Sequence, residues 1–120
     1  METESRTQAI SIKADAFTLE ELRAAVFGDD SERLSKTLAV QLLGRKDYPE
    51  KLSDLRSVLL DKRQPVRARH SAAIELGRMN SGGAAAVLRE ATGISDDFVR
   101  SGVLIALQLH RDASGSTPER

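Results

Sequence analysis

The sequence predicts an all-α fold, a short right-handed α-solenoid of about three helix pairs, six helices in all. Three observations carry this expectation. First, the chain matches itself at an offset of 33 residues, aligning Leu43, Leu76 and Leu109, then Arg45, Arg78 and Arg111, then Val40, Ala73 and Ala106, and Ala39, Ala72 and Ile105. The same offset aligns Leu22, Leu55 and Leu88, then Arg23, Arg56 and Arg89, then Ala25, Val58 and Ala91. One period without insertions marks stacked repeats, in which no unit buries its apolar face alone and each neighbour supplies a wall. Second, aromatic residues make up only 3 % of the chain, so the core must be built from Ala, Val, Leu and Ile. Side chains of that size let helices approach closely. Third, helix start and stop signals punctuate the chain at regular intervals.

Those signals define the elements in order. Met1 to Phe17 shows no helical period, and Ile10 and Ile12 alternate with polar residues, as in a short extended piece. Thr18 and Glu21 form the pattern of a capping box, opening a helix over Leu19 to Phe27, with Gly28 expected as a left-handed stop. Asp29, Asp30 and Ser31 offer the next cap, ahead of a helix carrying Leu34, Leu38, Val40, Leu42 and Leu43 and ending near Gly44. Pro49 and Pro65 suit first-turn positions of the following two helices. Asn80 to Gly83 reads as a turn, Ala84 to Thr92 as a short helix stopped by Gly93, and Ser95 or Asp96 as the cap of a last helix over Asp97 to His110. The expected organisation is a leading extended or partly disordered segment over 1–17, a repeat domain over 18–111 and a disordered tail over 112–120.

Composition excludes several classes. Cysteine is absent, so neither disulfides nor thiolate metal sites shape the fold. No apolar run is long enough to span a bilayer, and the polar start at Met1 to Gln8 is unlike a signal peptide, so the cytoplasm is the expected setting. Net charge is zero but unevenly spread: residues 1–32 carry −5, residues 33–80 carry +6 and residues 81–120 carry −1. Such a gradient either steers a charged partner or reflects a solvated surface with clustered charges.

The segment Pro65-Val66-Arg67 through Ala72-Ala73 to Leu76-Gly77 resembles the first helix of a HEAT repeat, of the short kind found in phycobilisome-lyase-type proteins. It recurs in weaker form from Phe98-Val99-Arg100 to Leu109, and from Ala39-Val40 to Leu43-Gly44. His110 stands where Gly44 and Gly77 stand in the other copies. The second helix of each pair, helix B, corresponds to Leu52 to Leu60 and Ala84 to Thr92. The resemblance implies an all-helical curved stack used for protein contact, with its B helices on the concave side. It does not imply lyase activity.

On that basis Arg23, Arg56 and Arg89 are the candidate partner-binding residues, one per B helix, with Lys51 and Leu52 beside them, and an acidic protein segment is the candidate partner. The structural alternative is that each arginine lies along its helix and pairs with Glu20, Asp54 or Glu90 close by in sequence. Arg67 and Arg100 are expected to tie neighbouring repeats together through carbonyls or acids. The last helix is apolar over a wide arc, so Val103, Leu104 and Leu107 are candidates for self-association into a homodimer or scaffold. An accessory subunit of an enzyme, such as a chromophore lyase, is a further reading carried by analogy alone.

The stretch from Lys62 to His70 is the most basic, but the chain as a whole lacks the net positive charge and stacking aromatics of a nucleic-acid binder and its N-terminal third is acidic, so nucleic acid is not an expected partner. His70 and His110 have no neighbours at metal-ligand spacing and are expected to be solvated helix residues. The sequence contains no phosphate loop, nucleophile elbow or HExxH, so we expect no enzymatic activity and no cofactor.

Overall fold

A computed structural model describes residues 16–28 and 34–114. Between Leu19 and Ser114 the described residues form six α-helices and one 3-10 turn, with no strand. They are α1 (Leu19–Phe27), α2 (Lys36–Arg45), α3 (Lys51–Leu60), α4 (Val66–Arg78), α5 (Gly82–Glu90), the turn Ala91–Gly93, and α6 (Asp97–Ser114). Helices α1, α3 and α5 are the B helices and α2, α4 and α6 the A helices of a repeating stack.

The 33-residue period reappears as burial. Leu22, Leu55 and Leu88 are fully buried on the three B helices, as are Leu43 and Leu76 on the first two A helices. The A helices form the spine of the stack, and α4 and α6 pack most intimately. There a Cβ on Gly77 would come within 2.6 Å of the Ala106 carbonyl oxygen, and one on Gly102 within 2.6 Å of the His70 ring. Glycine is needed at both positions because another helix occupies the space of its missing side chain.

Local signals decide where each helix starts. Thr18 accepts from the Glu21 amide at 3.1 Å, and Glu21 returns the contact to the Thr18 amide at 2.8 Å, completing the capping box. Helix α2 begins at Ser35, whose hydroxyl accepts from the Leu38 amide at 3.1 Å. The expected cap at Asp29–Ser31 lies outside the described residues. Pro65 and Ser81 are the N-caps of α4 and α5, and Asp96 accepts from the Val99 amide at 3.0 Å to open α6. Pro49 falls one residue before the N-cap of α3, not within its first turn.

The helix ends correct three expectations. Gly28 is extended (φ −93°), not left-handed. Its value as glycine is close approach, since a Cβ would meet the Ala24 carbonyl oxygen at 2.6 Å. The chain stops there because the Lys36 ammonium reaches back to the carbonyls of Ala25 (3.3 Å), Val26 (2.9 Å) and Gly28 (3.0 Å). Gly82 and Gly83 open α5 instead of forming a turn; the reversal is made one step earlier, by Asn80 at φ 52°. Helix α5 stops at Glu90 and a 3-10 turn ends at Gly93, while α6 runs past His110 to Ser114. The expected extended segment before Ala16 and the tail beyond Ser114 lie outside the described residues.

Candidate functional site

The B helices present the arginine row to one side of the stack, and its rungs are tied across repeats. Arg23 on α1 meets Asp54 on α3, with Nη2 donating to Oδ1 at 3.2 Å and Nε in ionic contact with Oδ2 at 2.8 Å. Arg56 on α3 forms a fork with Glu90 on α5, donating from Nε at 3.3 Å and Nη2 at 2.8 Å. The sequence suggested acids close by in the chain; the partners instead lie 31 and 34 residues away, on the next B helix. The carboxylate beside each guanidinium, hydrogen-bonded and oppositely charged, holds the proton on Arg23 and Arg56 even more firmly than usual. Arg89 on α5 is exposed and makes no ion pair among the described residues.

Asp54 is the anchor of the first rung. It is 6 % exposed and also accepts from the Tyr48 hydroxyl at 2.9 Å. Burial, and then the hydrogen bond and charge of Asp54, push the Tyr48 phenol well above its ordinary range. A carboxylate taken out of water is tolerated here because two donors meet it.

The other candidate residues have structural duties. Lys51 donates to the carbonyls of Gly44 (3.1 Å) and Lys46 (2.8 Å), closing the C-terminus of α2. Leu52 is half-buried and lies where a Cβ on Gly83 would meet its Cδ2 at 2.8 Å, so it packs on the start of α5. Of the self-association residues, Val103 is fully buried in the core and Leu107 is partly buried against it. Only Leu104 is open, 54 % exposed, because Val103 and Leu107 lie on the inward side of α6. Arg100 donates to the carbonyls of Ile94 (3.0 Å) and Ser95 (3.4 Å) and pairs with Asp97, while Arg67 is exposed. His70 is not a freely solvated histidine. It stacks on Phe98 with centroids 4.3 Å apart, and burial lowers its pKa.

Two features were absent from the expectations. Arg69 donates from Nε to the Leu59 carbonyl at 2.9 Å. This is the Lys36–Val26 contact displaced by 33 residues at both ends, so a basic residue on each of α2 and α4 closes the preceding B helix. The signal was available as the alignment of Lys36 with Arg69, which Gly102 interrupts in the third copy. On the A-helix side, Gln41, Arg45, His70, Ser71, Ile74, Glu75 and Arg78 line an open cleft of about 260 Å³. Glu75 is 5 % exposed and packs on Gly44; burial raises its pKa against the opposing pull of Arg78, Arg45 and Lys51. Among the described residues no cluster of three His, Cys, Asp or Glu side chains could hold a metal ion, and no helix is long and apolar enough to cross a membrane.

Alternating helices, a sequence period preserved as burial, and charged contacts from each repeat to the next define a helical-repeat protein. The family model for HEAT repeats matches residues 19–108, and the chain belongs to the HEAT repeat family. Neither a curated protein nor a solved structure matches it significantly. HEAT repeats generally serve as protein–protein interaction scaffolds and are typically non-catalytic.

Proposed function

We propose that this chain is a non-enzymatic adaptor that binds a segment of another protein along the face made by α1, α3 and α5. The observation that carries the reading is the pair of inter-repeat ties, Arg23–Asp54 and Arg56–Glu90. They fix the spacing of successive B helices before any partner arrives, and a preorganised surface loses less entropy on binding. The guanidinium of Arg56 remains half-exposed and that of Arg89 is open, which favours an acidic partner segment. Burial of the Leu22, Leu55 and Leu88 ladder means these helices contribute a rigid outer surface and not a deformable one.

The test is affinity capture from a native extract with the wild-type chain and with Arg56→Glu, each shown to be helical by circular dichroism. A protein held by the wild type and lost by Arg56→Glu supports the reading. Equal capture by both moves the site off the B-helix face, and the absence of any captured protein argues against an adaptor.

A further inference from the structure

The cleft between α2 and α4 holds polar groups that the fold itself leaves unused. Ser71, Glu75 and Arg78 follow at helical spacing on one face of α4, and Gln41 and Arg45 do the same on α2, around an open volume of about 260 Å³. Arg45 and Arg78 stand one sequence period apart, each in the last turn of its helix. Both are exposed, and neither makes an ion pair among the described residues. In this they differ from Arg23 and Arg56, whose charges are taken up by Asp54 and Glu90. Ser71 is 8 % exposed; its Oγ accepts from Gln41 Nε2 at 3.4 Å, and its own O–H has no acceptor among the described residues. Glu75 is 5 % exposed, fills the space of the side chain that Gly44 lacks, and meets no hydrogen-bond donor among the described residues. Buried polar groups are normally hydrogen-bonded. Two that are not, both facing one open cleft beside two unpaired arginines, mark a place for a ligand.

We propose that this cleft is a binding site for a small organic oxyanion, a carboxylate or a phosphate ester, held between the guanidinium groups of Arg45 and Arg78 with the Ser71 hydroxyl donating to it. The balance of donors decides the class. Each guanidinium offers a planar fork of N–H groups that matches two oxygens of a carboxylate or phosphate. Ser71 adds an O–H, and Glu75 alone among these groups is an acceptor. Burial raises the pKa of Glu75, and a bound anion pushes it further the same way, so its carboxyl takes up a proton and becomes another donor. The charged groups around Glu75 are Arg45 on α2, Lys51 on α3 and Arg78 on its own helix, all of them cationic. Lys51 is held by the carbonyls of Gly44 and Lys46, which leaves the two arginines for the ligand. Ile74 and His70, whose ring is fixed by stacking on Phe98 at 4.3 Å, line the cleft beside the organic part of the ligand. The site draws on A helices alone, so it stands or falls separately from the adaptor reading on the B-helix face.

The test follows the amide chemical shifts of the full chain by NMR during titration with succinate and, separately, with inorganic phosphate, at constant ionic strength. Saturable shifts are expected over residues 41–45 and 70–78. A response to succinate alone identifies a carboxylate ligand, a response to phosphate alone a phosphate ester, and a response to both supports the oxyanion class. Arg45→Ala and Arg78→Ala, at exposed positions, should each weaken binding by roughly tenfold. Arg89→Ala on α5 should leave it unchanged. Glu75→Gln keeps the size of the side chain and carries an N–H donor at every pH, so it should bind at least as tightly as the wild type. No saturable shift with either anion, an equal loss in Arg89→Ala, or weaker binding in Glu75→Gln would overturn the proposal. The last result would mean that the cleft reads a cation through its carboxylate.

Discussion

Replacing Gly77 with alanine sets two physical effects against each other, and the structure decides the sign. Helix propensity favours the change: alanine stabilises a helix interior by about 1 kcal/mol over glycine. Packing opposes it. A Cβ at this position would lie 2.6 Å from the Ala106 carbonyl oxygen, 2.8 Å from its Cα and 2.9 Å from its Cβ. Two of these neighbours are backbone atoms of α6, and none is the flexible end of a long side chain. Restoring van der Waals contact requires α4 and α6 to part by roughly 0.8 Å, which loosens Ala72, Ala73 and Val103 along the same interface. Overpacking of this kind costs about 1–3 kcal/mol, and a contact against backbone belongs at the upper end. The net expectation is a loss of about 2 kcal/mol, or a Tm lower by about 8–16 °C for a domain near this size. The assay is thermal and urea unfolding followed by circular dichroism, with Gly82→Ala as the control. Gly82 has nothing within 4 Å of its would-be Cβ and should stabilise by about 0.4–1 kcal/mol. A Gly77→Ala chain as stable as the Gly82→Ala chain would refute the close α4–α6 approach.

Further outcomes follow from the buried polar groups. Glu75 has its pKa raised by burial, so between the unfolded and folded pKa values the folded state holds a proton that the unfolded chain has released. The stability it contributes is fully present below the unfolded carboxyl pKa near 4.5 and is lost as pH rises through the folded value. Glu75→Gln should therefore raise Tm more at neutral pH than at pH about 4; an equal shift at both would contradict the burial. Tyr48→Phe removes one of two donors to Asp54 and should cost about 1.5–3 kcal/mol by urea unfolding, with a neutral result arguing that Asp54 is solvated. Lys36→Met and Arg69→Met should each raise amide exchange at the end of the preceding B helix, near Val26 and Leu59 respectively. Loss of protection spread evenly over the stack would argue against local capping.

The architecture was legible in the sequence because repetition leaves the same mark in every copy. The Leu22, Leu55 and Leu88 ladder had to face inward, and the Thr18–Glu21 box had to open a helix, since both are local or periodic facts. The ends of the helices were less legible. Gly28 looks like a left-handed stop, but α1 is closed by an ammonium from Lys36, a tertiary contact that no local rule reveals. The same holds for the arginine row. Its alignment is visible, yet whether Arg23 faces a partner or Asp54 depends on the spacing of two helices 31 residues apart in the chain. On α6 the apolar arc is wider than the helix's buried side, so composition alone does not separate buried Val103 from exposed Ile105; the placement of α4 does.

The adaptor reading makes its most direct commitment about location. Hydrogen exchange measured by mass spectrometry, on the chain alone and bound to the protein captured from native extract, tests it. The reading predicts new protection concentrated in Lys51–Leu60 and Gly82–Glu90, the two B helices that carry Arg56 and Arg89. Protection confined to the A helices α2 and α4, with those two segments unchanged, would contradict it.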